Sequence, residues 1–600
     1  MLMRKGKKII IGGTLLITAT ALVFSPKFFS KSSAEKHTCT NTMEASASAR
    51  TISITSDISG KGTAEIYAYQ PEQYRPDDPL KGESVLSPEK GDKVGAVSLG
   101  RRQTIAIKRY GTKREDRIYR KYYLVQGGKT LKGPVYVNRI KPEHRRVLFD
   151  QDSIKGIFNE GKNDVSEASY LGASSITVNI STSSLLYPQE YAHPDNSIAY
   201  ECEGKTWHFS RKAVKDMDEK ITNATKAGMN SIVILNAWGK GIAPDWFRYP
   251  TDSDKKDSAI YGMNTSNTRG REYFEVMMDF LGHRYSQPER RVGTWVISNE
   301  IDFPDYFFHG ENNLDRYMEE YSRQLRIADI AIKKGAGDAA VVVPFTHFWK
   351  KTGTNVGSKS PSEFLPYDMI TWLAKKTNSE GAFDWGIAPH LYAANSIKAN
   401  YSMADTKVPG ITGDWRTTSM ITYSNLEVLG DFLAQKDILF DGKRRGVYMT
   451  EGGMSSGKKS DDEYKRQAAS IIQGYLKCVN LPYVRTFNYY RLTDHPDETK
   501  QGLTVGLKDE NGMRKPAYEV FRKLDTVEGA ENARKYLKYI EYQKNGAAYH
   551  PNSWAQAMNV YTTEMENSFD PLKALKKSEL KGMTAEEKKV YVEICRTMEK

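Results

Sequence analysis

The chain has 600 residues, 39% of them hydrophobic and 27% charged, which is a soluble composition with enough apolar residues for more than one core. The formal net charge is +13, and six Lys/Arg with no acid lie in residues 1–34, so the remainder carries +7. So modest a charge argues against a nucleic-acid-binding protein, which needs a concentrated basic face, and is compatible with weak attraction to an anionic cell surface.

The first residues, "MLMRKGKKIIIGGTLLITATALVF", combine a basic start with an apolar run from Ile9 to Phe24. This pattern predicts a signal peptide over residues 1–34, with an uncleaved membrane anchor as the alternative. We therefore expect an exported protein that is secreted or anchored on the extracellular side of the membrane. Its four cysteines are scattered and indicate neither a disulfide framework nor a zinc site.

Residues 35–49 are small and polar and are interpreted as a linker. From 50 to 141, short runs such as "TISITS" and "TAEIYAYQ" alternate apolar and polar residues, which predicts an antiparallel, β-sandwich-like domain. Tyr67, Tyr69, Tyr122 and Tyr123 alternate as a buried face would, so this domain is expected to brace the following domain rather than to bind a ligand itself.

Between residues 145 and 525 the rhythm changes to short apolar runs, each followed by a helical pattern. The eight runs are Ser153–Glu160, Ser175–Ser181, Ser231–Trp238, Gly293–Glu300, Ala340–His347, Phe383–Tyr392, Gly446–Glu451 and Val484–Tyr490. Eight strand–helix units predict an α/β fold, a (β/α)₈ TIM barrel. An open doubly wound sheet is the alternative, but "GIFNEGKND" after the first run is not its glycine-rich phosphate turn. Residues 526–600 are charged and predicted to form a helical C-terminal extension without assigned chemistry.

Two carboxylates close predicted strands of this barrel, Glu300 the fourth and Glu451 the seventh. Active residues of such barrels lie at the C-terminal strand ends, where these two positions face each other. Such a pair can hydrolyse a glycoside, one carboxyl giving a proton to the leaving oxygen and the other attacking the anomeric carbon. A carboxyl separation of about 5–5.5 Å would indicate retention, and about 6.5–9.5 Å inversion. Asp302, two residues beyond the strand end, is the alternative acid.

Four motifs carry a family resemblance: the Asn-Glu pair (Asn299, Glu300), Glu451, "HLY" (His390–Tyr392) and the closing segment "GLTVGLKDENGMRKPAYEVFRKL". They resemble the retaining glycoside hydrolases with (β/α)₈ barrels, the clan containing many cellulases, mannanases, galactanases and β-galactosidases. Over about 150–525 the chain also resembles an uncharacterised bacterial family of unknown function, DUF5722, notably in "SNEID", "GMNTSN" and "HLY".

The resemblance implies an exported retaining O-glycosyl hydrolase acting on a β-linked oligo- or polysaccharide. Glu300 would be the acid/base and Glu451 the nucleophile. Asn299 would bind the sugar 2-hydroxyl, Tyr392 would hydrogen-bond Glu451, and His390 would line the same wall.

The sequence departs from the clan at two strand ends. The usual Arg after strand 2 is replaced by Asn179, and the usual Trp after strand 8 by "NYY", which makes Asn488 and Tyr490 the expected substrate contacts there. Loop residues after strands 3, 5 and 6 are further expected contacts: Trp238, His347, Trp349 and Trp415.

Two other functions remain open. "GMSSG" matches G-x-S-x-G, so Ser455 could serve a serine esterase, although this Ser lies four residues beyond Glu451 instead of at the strand-to-helix turn. A barrel that binds glycans without cleaving them is the other. No zinc motif or phosphate loop occurs. A retaining glycosidase needs no cofactor, and a structural Ca²⁺ would not be visible in a sequence pattern.

Overall fold

The structure is a computed structural model that describes residues 38–75, 77–78, 91–112, 114–158, 164–191, 194–239, 241–249, 260–304, 313–351, 364–396 and 401–596. The predicted signal peptide or anchor lies outside these residues. Within them, no helix combines the length and apolar character needed to cross a bilayer.

The N-terminal domain is a single seven-stranded mixed sheet in the order β4-β3-β6-β7-β1-β2-β5. Its strands are β1 (Thr42–Ala47), β2 (Thr51–Asp57), β3 (Thr63–Tyr69), β4 (Asp92–Ser98), β5 (Gln103–Lys108), β6 (Lys121–Gln126) and β7 (Lys129–Ile140). Alternate residues such as Ile52, Ile54 and Ile66 are fully buried, as the period-2 pattern predicts. The two edge strands face each other, with the Cβ position of Gly95 only 2.6 Å from the Ile105 side chain, so the sheet folds over itself like a sandwich.

The linker prediction for residues 35–49 is wrong in its second half. Residues 42–47 form β1, which pairs antiparallel with β2 and parallel with β7, so the sheet is not purely antiparallel. Met43, Ala45 and Ala47 are buried there with the expected alternation. Two of these three residues are alanines, whose small side chains gave too weak an apolar signal to be recognised.

The barrel prediction is confirmed. Eight strands among the described residues form a closed parallel ring. Each strand pairs with the next one in the order given below, and the eighth pairs with the first. They are β8 (Lys155–Phe158), β9 (Ser175–Ser181), β12 (Asn230–Asn236), β14 (Arg290–Ile297), β15 (Ala340–Phe345), β16 (Trp385–Pro389), β17 (Val447–Met449) and β18 (Val484–Tyr489). Outside the ring lie a hairpin and a short strand, β10 (Ser197–Cys202), β11 (Lys205–Ser210) and β13 (Ser286–Gln287).

Helices follow the strands along the chain. They are α1 (Asp164–Tyr170), α2 (Arg211–Lys226), α3 (Thr268–Arg284), α4 (Leu314–Gly335), α5 (Pro366–Ser379), α6 (Tyr401–Thr406), α7 (Glu427–Leu433), α8 (Asp461–Asn480), α9 (Pro496–Lys500) and α10 (Pro516–Lys523). Amphipathic helices such as α2 and α4 bury their apolar stripe on the outer faces of the strands.

The C-terminal extension is mostly helical, as predicted, and also contains a small hairpin. Its elements are α11 (Val527–Tyr536), β19 (Tyr542–Lys544), β20 (Ala547–Tyr549), α12 (Trp554–Met558), α13 (Glu564–Ser568), α14 (Lys577–Gly582) and α15 (Ala585–Arg596). It packs on α8, where the Tyr475 hydroxyl donates to the Ala574 carbonyl at 3.0 Å. The extension therefore supports the barrel.

Buried ion pairs join the N-terminal domain to the barrel. Arg271 on α3 is 1% exposed; its Nε donates to Glu72 at 3.0 Å and its Nη1 to Glu275 at 2.5 Å. Lys334 on α4 pairs with Asp116 of the N-terminal domain at 3.2 Å. Removing one partner from such a buried pair is costly, so these contacts fix the domain against α3 and α4.

Side chains that alternate along the barrel strands form two separate layers. Phe158, Ile232, Ile234, Val296, Val342 and Ala388 pack together inside the ring, whereas their neighbours in sequence, such as Val233 and Ile297, belong to the outer core under the helices. The inner layer fills the barrel, so polar residues that follow on the same face emerge at its C-terminal mouth.

Candidate active site

Glu300 enters the mouth on a strained turn after β14. The Ser298 N–H donates to the Leu235 carbonyl at 3.0 Å, which carries the strand register one residue further. Ser298 and Glu300 then adopt φ values of +68° and +37°. Left-handed backbone at non-glycine residues costs roughly 1–3 kcal/mol each and is concentrated at functional sites, where the fold pays for orienting a side chain.

Glu451 follows β17, and two glycines after it let the chain pass close to neighbouring strand ends. Gly452 has φ +154°, and a Cβ there would lie 2.7 Å from the Leu391 carbonyl oxygen. A Cβ on Gly453 would lie 2.3 Å from the Tyr490 carbonyl oxygen. The sequence "EGG" is therefore required by close backbone approach, and it holds Glu451 between the ends of β16 and β18.

His390 brings the two carboxylates together. Its Nδ1 lies 3.0 Å from Glu300 Oε1 and 3.7 Å from Glu451 Oε2. The nearest ligand atoms of all three groups lie within 4.8 Å of one another, so the two carboxylates share one side of the mouth. On the other edge of the His390 imidazole, Nε2 lies 3.4 Å from the Thr450 hydroxyl, which fixes the plane of this fully buried side chain.

Tyr392 holds Glu451 directly: its hydroxyl donates to Oε1 at 2.9 Å. Burial raises the pKa of Glu451, and the Glu300 carboxylate raises it further, while His390 and the Tyr392 hydrogen bond oppose the rise. Burial by itself would lower the pKa of His390, but the Glu451 charge and the Glu300 hydrogen bond hold it above its usual value. Burial and the Glu451 charge raise the pKa of Tyr392 far above its usual value, so its proton stays available to Glu451.

Asp302, the alternative acid, is enclosed. It is 2% exposed and accepts hydrogen bonds from the Thr346 N–H at 2.9 Å and from the Thr346 hydroxyl. Burial raises the pKa of Asp302 to about 7. Its carboxyl thus ties the loop after β14 to the end of β15, and this geometry suits a supporting residue better than one that meets a substrate.

His347 and Tyr490 flank the acids. Burial lowers the pKa of His347 to about 4, and the nearby Glu300 charge only partly opposes this, so its imidazole is neutral at pH 7. Tyr490 packs edge-on against Phe158 at 4.9 Å, and its backbone N–H donates to the Gly452 carbonyl at 2.8 Å.

The amide residues of the prediction lie at different depths. Asn299, between Ser298 and Glu300, is 7% exposed at the mouth. Asn488 is 1% exposed and accepts a hydrogen bond from Ser175 at 2.8 Å, two residues below Tyr490 on the inner face of β18. The bond to Ser175 thus lies inside the barrel, and contact of Asn488 with substrate stays a prediction.

The model of a family of unknown function (DUF5722) matches residues 148–547 of the sequence, which is two thirds of the chain and contains all of these site residues. The chain belongs to this family. No curated protein matches it.

Several solved structures resemble this DUF5722 protein at low identity. A family 39 glycoside hydrolase from Bacteroides cellulosilyticus WH2 is 15% identical, with 80% of this chain and 82% of that chain covered and a TM-score of 0.39. An intracellular xylanase from Thermoanaerobacterium saccharolyticum is 14% identical, with coverages of 63% and 98% and a TM-score of 0.37. A GH5_18 protein from Streptomyces cattleya, in complex with Manb1-4GlcNAc, is 14% identical, with coverages of 62% and 80% and a TM-score of 0.37.

The tryptophans of this DUF5722 protein divide between surface and core. Trp238, after β12, is 39% exposed and keeps a ring available at the mouth. Trp349 is 2% exposed, packs edge-on against Phe432 at 4.9 Å, and donates its indole N–H to the Trp415 carbonyl at 2.8 Å. The Trp415 ring stacks on Tyr367. Neighbouring aromatic rings thus cover Trp349, and its contact with substrate stays a prediction.

Ser455 lacks the surroundings of an esterase nucleophile. It is 1% exposed, and its hydroxyl bonds Thr504 Oγ1 at 3.0 Å and accepts from the Gly457 N–H at 3.2 Å. The downstream pair has other partners: Asp494 binds Lys515 at 2.7 Å, and the exposed His495 caps α9. These contacts describe a hydroxyl that pins the loop after Glu451 to the loop around Thr504.

Glu300, His390 and Glu451 also form a group that could bind a metal ion, since one imidazole nitrogen and two carboxylates are ligands that Zn²⁺ accepts. In the structure His390 Nδ1, the nitrogen facing both acids, is within hydrogen-bond distance of Glu300. The geometry of these three groups thus suits either a proton shared between the acids or a bound cation.

Three residues of this site are not apparent from the sequence. Thr450 gives no signal because a Thr at the end of a strand is common. Arg491 and Glu498, which bind the Tyr490 hydroxyl and each other, lie beyond the last strand. A charged pair seven residues apart, with Arg491 in the loop after β18 and Glu498 on the short helix α9, gives no periodic signal, so only the folded chain reveals it.

Proposed function

We propose that this protein is an exported retaining β-glycoside hydrolase. The observation that carries the proposal is the pair of carboxylates, Glu300 and Glu451, at the ends of the fourth and seventh barrel strands with oxygens no more than 4.8 Å apart. Such closeness supports the shorter of the two carboxyl separations, about 5–5.5 Å, at which one carboxylate can reach the anomeric carbon.

Glu451 is the proposed nucleophile because Tyr392 donates a hydrogen bond to one of its oxygens, which favours the ionised form and leaves the other oxygen to attack. Glu300 is the proposed acid/base. In the first step Glu451 bonds to the anomeric carbon as the glycosidic C–O bond breaks, and Glu300 gives its proton to the leaving oxygen. In the second step Glu300 takes a proton from water, whose oxygen displaces Glu451.

The electrostatics of the site fit these two steps. Glycosylation converts the Glu451 carboxylate into an uncharged ester, so a like charge is lost from beside Glu300 before the second step. His390 lies between the acids, and its pKa is held above its usual value by Glu451 and Glu300 against the effect of burial, which favours its protonated form. The substrate is proposed to be a β-linked oligo- or polysaccharide, reached outside the cell after export by the N-terminal segment.

The decisive experiment replaces each acid separately and adds azide. With activated aryl β-glycosides, Glu451→Ala and Glu300→Ala should each lower kcat/KM by roughly 10³-fold or more. Azide should restore turnover of both, giving an α-glycosyl azide with Glu451→Ala and a β-glycosyl azide with Glu300→Ala. Proton NMR of the wild-type reaction should show the β-anomer first. An α-anomer as first product would contradict retention. If each variant gave the other anomer of the glycosyl azide, the roles of Glu300 and Glu451 would be exchanged.

A metal-dependent hydrolase is the second candidate, favoured by the same triad of Glu300, His390 and Glu451. Exhaustive treatment with a chelator separates the two readings, because it would abolish a metal-dependent activity and leave double displacement unaffected. A barrel that only binds glycan would instead show affinity for a polysaccharide that Glu451→Gln leaves intact, with no reducing ends released by the wild type.

A further inference from the structure

Three polar side chains form a closed network beside the proposed nucleophile, at the end of β18. The Tyr490 hydroxyl donates to Glu498 Oε1 at 2.7 Å. Arg491 Nη1 donates to the same oxygen at 3.0 Å and to the Tyr490 hydroxyl at 3.1 Å. One carboxylate thus holds both the phenol and the guanidinium.

This network belongs to the wall of the active site. Tyr490 is bonded through its backbone to Gly452, the residue after Glu451, and its ring closes the inner layer against Phe158. The charge of Glu498 reaches the acids: it adds to burial and to Glu300 in raising the pKa of Glu451.

Four of the described residues at this wall carry carboxyl groups. Glu300, Glu451 and Glu498 are acids, and Asp302 adds a fourth carboxyl that burial keeps partly protonated near pH 7. The described cations that face them are His390, bound to Glu300, and Arg491, which is 6% exposed and bound to Glu498. A guanidinium is the group best suited to a sugar carboxylate, since it binds carboxylates in a bidentate fork, and here Nη1 of the Arg491 guanidinium is bound to Glu498 Oε1.

We infer that the site selects β-glycosides whose reacting sugar is uncharged, and that Glu498 determines this selectivity by holding Arg491 and adding its own negative charge beside Glu451. The inference rests on the proposed function and names its substrate class. A uronic acid would bring a carboxylate towards Glu451 and Glu498, and among the described residues His390 and Arg491 are already bound to Glu300 and Glu498. In a site partly shielded from water this repulsion is not offset by solvation.

The test compares 4-nitrophenyl β-glucoside, β-galactoside, β-mannoside and β-xyloside with 4-nitrophenyl β-glucuronide and β-galacturonide. For the wild type, the best neutral substrate should exceed the best uronide in kcat/KM by at least about 100-fold. Glu498→Gln keeps the side-chain shape and removes the charge, so the uronide-to-neutral ratio should rise about tenfold, the effect of one unit charge at roughly 10 Å. The matched control is Glu510→Gln, which removes an equal charge from an exposed pair with Lys459 and should leave the ratio unchanged.

Salt provides a measurement without a variant, in case Glu498→Gln does not fold. Raising the ionic strength screens the repulsion, so the wild-type uronide-to-neutral ratio should increase with salt. Uronides cleaved as fast as neutral glycosides would overturn the inference while leaving the glycosidase proposal intact. A ratio that responds neither to salt nor to folded Glu498→Gln would overturn it as well. No turnover of any of the six substrates or of β-linked polysaccharides would refute the proposed function, and the inference with it.

Discussion

The hydrogen bond from Tyr392 to Glu451 gives a quantitative prediction for Tyr392→Phe. The substitution keeps the ring and removes a donor 2.9 Å from Glu451 Oε1. A hydrogen bond to a charged group contributes roughly 1.5–3 kcal/mol, and a side chain that is partly open to solvent belongs at the lower end of that range. Since about 1.4 kcal/mol corresponds to one pKa unit, we expect the pKa of Glu451 to rise by about one unit in the variant.

The sign follows from which form the bond stabilises. Tyr392 donates to the ionised carboxylate, so its loss favours the protonated form, and the nucleophile is then inactive up to a higher pH. The acid limb of the kcat/KM profile, already displaced upward because burial raises the pKa of Glu451, should move upward again by about one pH unit.

The assay is kcat/KM for the best neutral aryl β-glycoside between pH 4 and pH 9. Tyr475→Phe is the matched control, because it removes a hydrogen bond of 3.0 Å to the Ala574 carbonyl in the C-terminal extension. It should leave the pH profile unchanged. An acid limb that stays in place or moves to lower pH in Tyr392→Phe would refute the assignment of Glu451 as the ionised nucleophile.

Three further predictions concern groups outside the reaction itself. Burial raises the pKa of Asp302 to about 7, so the contribution of its protonated carboxyl to stability is complete below about pH 4 and is lost as the pH rises through 7. Urea unfolding should therefore show the wild type losing on the order of 4 kcal/mol relative to Asp302→Asn between pH 4 and pH 8. A difference between the two proteins that is independent of pH would contradict this. Ser455→Ala should lower the free energy of unfolding by about 1 kcal/mol through the lost bond to Thr504 and leave glycosidase turnover unchanged; ester hydrolysis that disappears with it would establish the esterase instead. Arg271→Met should lower the free energy of unfolding by roughly 3–5 kcal/mol, because Glu72 and Glu275 lose their shared partner; an unchanged denaturation midpoint would show that the ion pairs do not fix the N-terminal domain.

Much of the fold is predictable because its signals are local. The eight apolar runs of the barrel match its eight strands, since a strand buried on both faces must be apolar along its length. The strands of the seven-stranded domain are less completely predictable from the sequence. The alternation of β2 and β3 is clear, but β1 is recognisable as a strand only once β2 and β7 lie on either side of it.

The candidate site divides in the same way. Glu300, Glu451, His390 and Tyr392 each follow a strand, and a closed parallel barrel brings all such positions to one mouth, so their meeting follows from the strand order. Trp349 and Asn488 also follow or end a strand, yet neither faces the open mouth. Their depth depends on which aromatic ring or hydroxyl comes from a distant part of the chain, and Phe432 and Ser175 decide it.

The sequence by itself determined the strands of the barrel, their ends and the positions of the two acids at those ends. Periodicity depends on a few neighbouring residues, and the parallel topology then brings the C-terminal ends of all the strands to one mouth. The tertiary structure alone decided which charges meet: His390 between Glu300 and Glu451, and Arg491 held by Glu498 instead of open to a ligand. Electrostatic energy depends on distances of a few ångströms and on burial. Those quantities arise only when segments far apart in the chain have packed together.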